Sequence, residues 1–230
     1  LSRDPENTIS DRTRFIFDNT EVLAPPHVPE IRLHLASDVS DLWHKTEGEL
    51  AEIGLPPPFW AFAWAGGQGL ARYVLDNAEM VRGKAILDIA SGSGLVAIAA
   101  GMAGARLSVA NDTDPFASHA STVNAALNNV SVDFSDEDFL SLQPGKLVRD
   151  KLHQFDCIFA GDVFYDSQMS LKIWPLLQEA AAMNKLVLVG DPGRSYLPNE
   201  GLEKLVEYEV PVFGELEDAS VKKTAIWQVA

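Results

Sequence analysis

From Ala85 onward, short apolar runs alternate with longer stretches whose apolar residues recur every three or four positions. That rhythm predicts βαβ units and a mostly parallel sheet. Strands are expected at Ala85–Ile89, Arg106–Ala110, Ser131–Phe134, Phe155–Ala160 and Lys185–Gly190, with helices near 95–103, 115–128 and 168–183. The tail breaks the pattern. Val206–Phe213 and Val221–Val229 are β-rich, and Gly214-Glu215-Leu216-Glu217-Asp218 between them is too short for a crossover helix. An antiparallel hairpin closing the sheet is therefore expected. Residues 1–82 precede the core. Within them Val39, Leu42, Trp43, Leu50 and Ile53 have helical spacing, opened by Ser37 or Asp38 and stopped by Gly54 and the prolines at 56–58. A second amphipathic helix is expected at Leu70–Asp76. With no repeat and no linker, the chain reads as one domain: an extension and lid over 1–82 and a core over 83–230.

The run Ile86-Leu87-Asp88-Ile89-Ala90-Ser91-Gly92-Ser93-Gly94-Leu95 reads as a strand, a glycine turn and a helix start. Gly92 and Gly94 let the backbone approach a ligand where a Cβ would collide, and the helix that follows offers unpaired N–H groups. This makes the core Rossmann-like. Gly92-x-Gly94-x-x-Ala97 with Asp112 about twenty residues on also satisfies the dinucleotide fingerprint. Asp88 separates the two cofactors. A carboxylate repels a pyrophosphate, whereas it holds the ammonium of S-adenosylmethionine, so the methyl donor is favoured over NAD. The closing hairpin points the same way, since a nicotinamide domain ordinarily ends on another parallel strand.

Composition narrows the class. At 230 residues with 47% hydrophobic content a full core is available, and 33 acidic against 18 basic residues give a net charge of −15. Phosphate binding needs clustered Lys and Arg, so a nucleic-acid partner is not expected. The single cysteine, Cys157, lies in an apolar run and reads as core packing, and the five scattered histidines suggest no metal. No apolar run approaches the ~20 residues that cross a membrane. The N-terminus has no signal-peptide h-region and no Arg-rich transit character, although a start without Met suggests trimming. The expected location is the bacterial cytoplasm, or the mitochondrial matrix in a eukaryote.

Other candidates follow the strand ends. Pro58 to Gly69 packs four aromatics beside three glycines and reads as a lid, with Trp60 and Trp64 walling the donor and Gln68 bonding its carboxylate, or with the aromatics only sealing the sheet. Asp112 is placed to accept both ribose hydroxyls, while Asp114 caps and Pro115 opens the next helix. Asp138 is offered to an adenine amino group and Phe139 to its face; the alternative is a solvated acidic turn. Asp162, in Gly161-Asp162-Val163-Phe164-Tyr165, stands at the carboxyl edge of its strand, where open α/β sheets bind ligands. An ionised Asp162 can hold a lysine ammonium; the plainer reading is a helix cap before Ser167.

Assembled, these pieces resemble the seven-strand protein lysine methyltransferases marked by Asp-x-x-Tyr, here Asp162 and Tyr165. Within that group the chain resembles the electron transfer flavoprotein beta-subunit lysine methyltransferases, through Pro58-Phe59-Trp60-Ala61-Phe62-Ala63-Trp64-Ala65-Gly66-Gly67-Gln68, Asp88 to Ala97 and Gly190-Asp191-Pro192-Gly193-Arg194. It is also similar to ribosomal protein L11 methyltransferases, which typically begin with Asn where this chain has Asp162. The resemblance implies S-adenosylmethionine as donor, lysines in a surface loop of the flavoprotein beta subunit as acceptor, and Asp162 with Tyr165 as substrate-holding residues. Ala90 stands where the commoner loop has its first glycine; as the smallest alternative it is expected to cost little. The rivals are a small-molecule N-methyltransferase or ribosomal-protein methyltransferase, an NAD-binding oxidoreductase and a non-catalytic cofactor-binding module.

Overall fold

A computed structural model describes residues 5–37, 57–142, 145–212 and 220–230, with backbone alone for 5–10. The helix expected over Asp38–Ile53 and the hairpin connection 214–218 lie outside the described residues.

The elements in order are α1 (Pro5–Asn19), β1 (Glu21–Leu23), β2 (Leu33–Leu35), α2 (Ala65–Asp76), β3 (Ala85–Ile89), α3 (Leu95–Met102), β4 (Leu107–Asn111), α4 (Pro115–Leu127), β5 (Asp133–Ser135), α5 (Lys146–Leu152), β6 (Cys157–Gly161), α6 (Ser167–Ala182), β7 (Leu186–Asp191), β8 (Leu202–Pro211) and β9 (Val221–Val229). Short 3-10 turns lie at 59–61, 78–80 and 139–141. Strands β3 to β9 form one seven-stranded sheet in the order β5-β4-β3-β6-β7-β9-β8. The first five are parallel, β9 runs antiparallel to β7, and β8 and β9 make the expected hairpin. This is the expected architecture.

Strand alternation divides the core between the two faces of the sheet. Ile86, Phe159 and Leu188 point to the side covered by α2 and α3, where Leu70, Val74 and Ile98 meet them. Their neighbours Leu87, Ile158, Val187 and Val189 point to the other side, against Val148, Ile173 and Leu177 of α5 and α6. Being covered on both faces is why β3, β6 and β7 are nearly continuous apolar runs. The described part of the N-terminal extension packs beside this sheet: Ile16 of α1 joins Trp60, Ala117 and Ala120, and Phe15 meets Phe116 edge-on at 5.3 Å.

Most parallel strands end one residue later than expected, which brings Asn111, Gly161 and Asp191 into the sheet. The larger difference is α2. It begins at Ala65, so the glycines read as part of a lid lie inside a helix wedged against strand ends. A Cβ on Gly66 would stand 2.2 Å from Gly190 O, and one on Gly69 would stand 2.9 Å from Thr224 Cγ2. These glycines permit close packing and do not form a hinge. The helices α1 and α5 and the β1–β2 hairpin were not anticipated, and β8 begins at Leu202 rather than Val206.

Candidate active site

The carboxyl ends of β3, β4 and β6 open onto one cavity of about 670 Å³, a size suited to a nucleotide-like cofactor. Ten of the twelve residues singled out from the sequence line it; Gly94, which shapes the turn beneath it, and Gln68 do not. After β3, Ala90, Gly92 and Gly94 take φ of +55°, +51° and +80°, turning the chain sharply into α3. A Cβ on Gly94 would lie 2.8 Å from Ser121 Cβ, so helix α4 packs directly on the turn.

Two carboxylates fix this turn. Asp88, 1% exposed, accepts the Ala97 N–H at 3.1 Å, so it compensates the positive end of α3 from within. Burial pushes its pKa up to about 8, and the neighbouring charge of Asp112 adds to the rise. Asp112 Oδ2 accepts from Gly92 N at 2.9 Å and Oδ1 from Asp114 N at 3.0 Å, tying the end of β4 to the glycine turn. Burial raises its pKa too, against three backbone N–H bonds that lower it. Each carboxylate oxygen has two acceptor positions, so the Asp112 oxygens keep capacity for hydroxyls. Asn111 Nδ2 donates to Ser135 O and Glu137 O, both at 2.9 Å, carrying the wall on to Asp138 and Phe139.

At the other end β6 delivers Asp162, 6% exposed and at φ +57°, a left-handed conformation that Asp tolerates better than most residues. Its Oδ2 accepts from Gly67 N at 2.9 Å, and its Oδ1 accepts from Arg194 Nε at 3.1 Å and Nη2 at 2.8 Å. Val163 and Phe164 turn into the core, while Tyr165 is 47% exposed with its ring 5.6 Å from that of Phe59. Burial raises the Tyr165 phenol's pKa, helped by Asp166 and Asp112. The helix cap is Asp166, which accepts from Met169 N, so Asp162 is not the cap.

A Xenopus laevis electron transfer flavoprotein beta subunit lysine methyltransferase is 35% identical over 231 residues, covering 97% of this chain and 89% of its own length. Relatives of the same name from Mus musculus and Homo sapiens are 37% and 34% identical, each over 93% of this chain and over 82% and 80% of their own lengths. The chain belongs to the electron transfer flavoprotein beta subunit lysine methyltransferase family. The family model for ribosomal protein L11 methyltransferase (PrmA) also matches, over residues 70–161. Among solved structures, a putative methyltransferase complexed with SAH superposes with a TM-score of 0.53 at 13% identity, covering 86% of this chain and 53% of that one, a likeness of fold.

A methyltransferase of this family draws on S-adenosylmethionine, and the cavity fits it. Acidic side chains line its wall at Asp88, Asp112 and Asp138, and among the described residues the one lining cation, Arg194, is paired with Asp162, a donor set for a cationic amino acid and a ribose rather than a pyrophosphate. Asp138 is exposed, and its Oδ1 also accepts Ser141 N at 3.1 Å, capping the 3-10 turn; Phe139 is 5% exposed beside it.

Two expectations, for Gln68 and Ala90, need correction. Gln68 does not reach the cofactor: it is wholly buried, its Nε2 donating to Ala63 O at 2.7 Å and its Oε1 accepting from His27 N at 3.1 Å. Trp60 lines the cavity although it is only 2% exposed, its ring stacking on Phe116 at 5.9 Å and 10°. Trp64 stands nearer the mouth, donating Nε1–H to Phe59 O at 3.0 Å. Ala90 is not a cheap substitution, because a Cβ in the left-handed region costs about 1 kcal/mol. Arg194 and Phe59 were not singled out individually. Arg194 follows the carboxyl end of β7, so the strand-end argument that located Asp162 applies equally to it.

Cys157 is buried in the core with its pKa pushed up to about 11 by burial, far from nucleophilic reactivity. Among the described residues no three His, Cys, Asp or Glu side chains are grouped to hold a metal, and no helix is long and apolar enough to cross a membrane.

Proposed function

We propose that the chain N-methylates lysine side chains of the electron transfer flavoprotein beta subunit. The observation that carries this reading is the position of the Asp162–Tyr165 edge, at the mouth of the cavity that holds the glycine turn. The match to the ribosomal protein methyltransferase model ends at Gly161, one residue before that edge, so it does not reach the acceptor side. The net charge of −15 suits a basic loop as partner.

S-adenosylmethionine supplies an electrophilic methyl on a sulfonium, and what this chain must provide is orientation. Asp112 and the glycine turn hold the ribose side, Asp88 the amino-acid end, and Asp138 with Phe139 the adenine. Tyr165 and Phe59, exposed at the mouth, offer aromatic surface to the aliphatic stem of a lysine, and the Tyr165 hydroxyl can bond the amine. Fixed alignment of this kind is worth up to ~7–11 kcal/mol. Among the described residues no side chain at this edge is placed as a general base, so the amine must lose its proton to solvent before it attacks.

The test is transfer of labelled methyl to purified electron transfer flavoprotein, with mass spectrometry to locate the product. Asp162→Asn, which keeps a residue tolerant of the left-handed backbone, is the control. Label on beta-subunit lysines, reduced at least tenfold in the variant, supports the reading. Tight S-adenosylhomocysteine binding with no label on the flavoprotein rejects the acceptor and leaves the fold intact; label appearing only on a metabolite favours a small-molecule enzyme.

A further inference from the structure

Asp162 is already occupied. Both its oxygens have partners, and the guanidinium on Oδ1 comes from a turn that is itself held rigidly. Asp191 Oδ1 accepts the backbone N–H groups of both Gly193 and Arg194 at 2.7 Å, and the Arg194 guanidinium lies 5.7 Å from the centre of the Trp64 ring. Arg194, Trp64, Asp162 and Tyr165 all line the same cavity. A cation thus sits where the sequence suggested a lysine ammonium.

We propose that Arg194 is a positioning residue for methyl transfer: it anchors Asp162 and fixes a positive charge at the amine-binding edge, so that the acceptor lysine is held as its neutral amine. The inference rests on the lysine reading above. An ammonium has no lone pair to attack with, and a free lysine has a pKa of ~10.4. A carboxylate left alone at this edge would stabilise the ammonium and raise that value, whereas a guanidinium a few Å away opposes it. The displaced proton leaves to solvent through the open mouth.

The direction of the effect does not depend on how the other charges balance, since removing a positive charge always favours protonation of a neighbouring amine. Among the described residues, the groups at this edge are Asp162, Tyr165 and Asp166 from the turn after β6, Asp191 from the last position of β7 and Arg194 from the turn after it. Asp88, Asp112, Asp114, Glu137 and Asp138 stand on the remaining cavity wall. From α2 and the segment before it, residues 57–69, there is no charged side chain, only the Gly67 N–H and the Trp64 ring.

The experiment is the pH dependence of kcat on saturating flavoprotein for wild type, Arg194→Gln and Arg194→Lys, with S-adenosylhomocysteine affinity and thermal midpoint measured alongside. Arg194→Gln is expected to lower kcat about tenfold at neutral pH without raising KM, and to move the acid limb up by about one unit, so that activity returns in alkali. Arg194→Lys keeps the wild-type limb. Limbs that coincide in wild type and Arg194→Gln, or an equal loss at every pH with a raised KM and unchanged cofactor affinity, would overturn the proposal. A wild-type enzyme that binds S-adenosylhomocysteine but leaves the flavoprotein unlabelled overturns the acceptor reading, and this inference with it.

Discussion

Gly66 and Gly190 meet where the first turn of α2 lies against the end of β7, so closely that a Cβ on either would stand within 2.2 Å of the other's backbone. The contact puts the Gly67 N–H in reach of Asp162, and thereby joins a helix outside the core βαβ series to the acceptor edge. Backbone cannot yield as a flexible side chain does. Gly66→Ala is therefore expected to destabilise by about 3 kcal/mol or more, at or beyond the upper end of ordinary overpacking. A Cβ on Gly67, one residue on, would meet only Leu95 Cδ2 at 3.9 Å, and Ala is the better helix former. Gly67→Ala is expected to change stability by less than about 0.5 kcal/mol or to raise it. Urea unfolding of the two variants decides the matter, and equal costs would show that the glycine contact is not the constraint.

Ala90 makes the opposite prediction. It holds φ +55° in the turn after β3, where glycine has no Cβ penalty. Ala90→Gly should stabilise the protein by about 0.5–1 kcal/mol, the relief in the folded state outweighing the extra freedom of the unfolded chain. A fall in the denaturation midpoint would mean that the Cβ packs usefully against the cavity wall.

The contrast between these residues marks how far the sequence could be read. Parallel strands buried on both faces leave a signal in every residue, so the strand order's raw material, the glycine turn and the acids at strand ends were all visible. Periodicity is silent about what a helix packs against, and Gly66-Gly67-Gln68-Gly69 breaks helical propensity while being helical; its conformation is set by the sheet edge beneath it. The same limitation hid the Arg194–Asp162 pair. Its place after a strand end could have marked Arg194 for the cavity, but its pairing with Asp162 depends on β6 and β7 being neighbours, which is a fact of topology. Side-chain size makes Ala90 look harmless in the turn, and only its backbone angle of +55° makes it costly.

Asp88 ties cofactor binding to protons. Its pKa in the folded protein is about 8, against 3.8 for the free side chain, so across that window the folded state keeps a proton that the unfolded chain has lost. Stability of the ligand-free protein should accordingly fall as pH rises from about 4 to about 8. Asp112 and Asp191 are also raised, the latter to about 6, and act in the same direction. A bound ammonium favours the carboxylate and reverses the trend at this position. S-adenosylhomocysteine, which keeps the amino-acid end of the donor, should bind with release of up to one proton near neutral pH and tighten towards pH 8. Calorimetry in buffers of different ionisation enthalpy measures this directly. Asp88→Asn should abolish most of the release; if proton release is unchanged in that variant, the ammonium is held elsewhere.

Gln68 separates a structural residue from a ligand at the same end of the sheet. Its amide bridges Ala63 O and His27 N, joining the segment before β2 to the start of α2, and truncation would leave the buried Ala63 carbonyl and the part-buried His27 N–H without those partners. Each such orphan costs about 1–3 kcal/mol, so Gln68→Ala should lose roughly 2–5 kcal/mol of stability. Because no atom of Gln68 lines the cavity, S-adenosylhomocysteine affinity measured below the unfolding transition should stay within about threefold of wild type, under about 0.7 kcal/mol. Asp112→Ala should behave the other way, since it releases the Gly92 N–H that shapes the cofactor turn and removes the acceptors for the ribose. For that variant the affinity loss is expected to reach tenfold or more, with a stability cost near that of one or two hydrogen bonds, about 1–3 kcal/mol. A Gln68→Ala protein that kept its stability but lost the ligand would restore the glutamine to the cofactor's carboxylate and require α2 to move on binding.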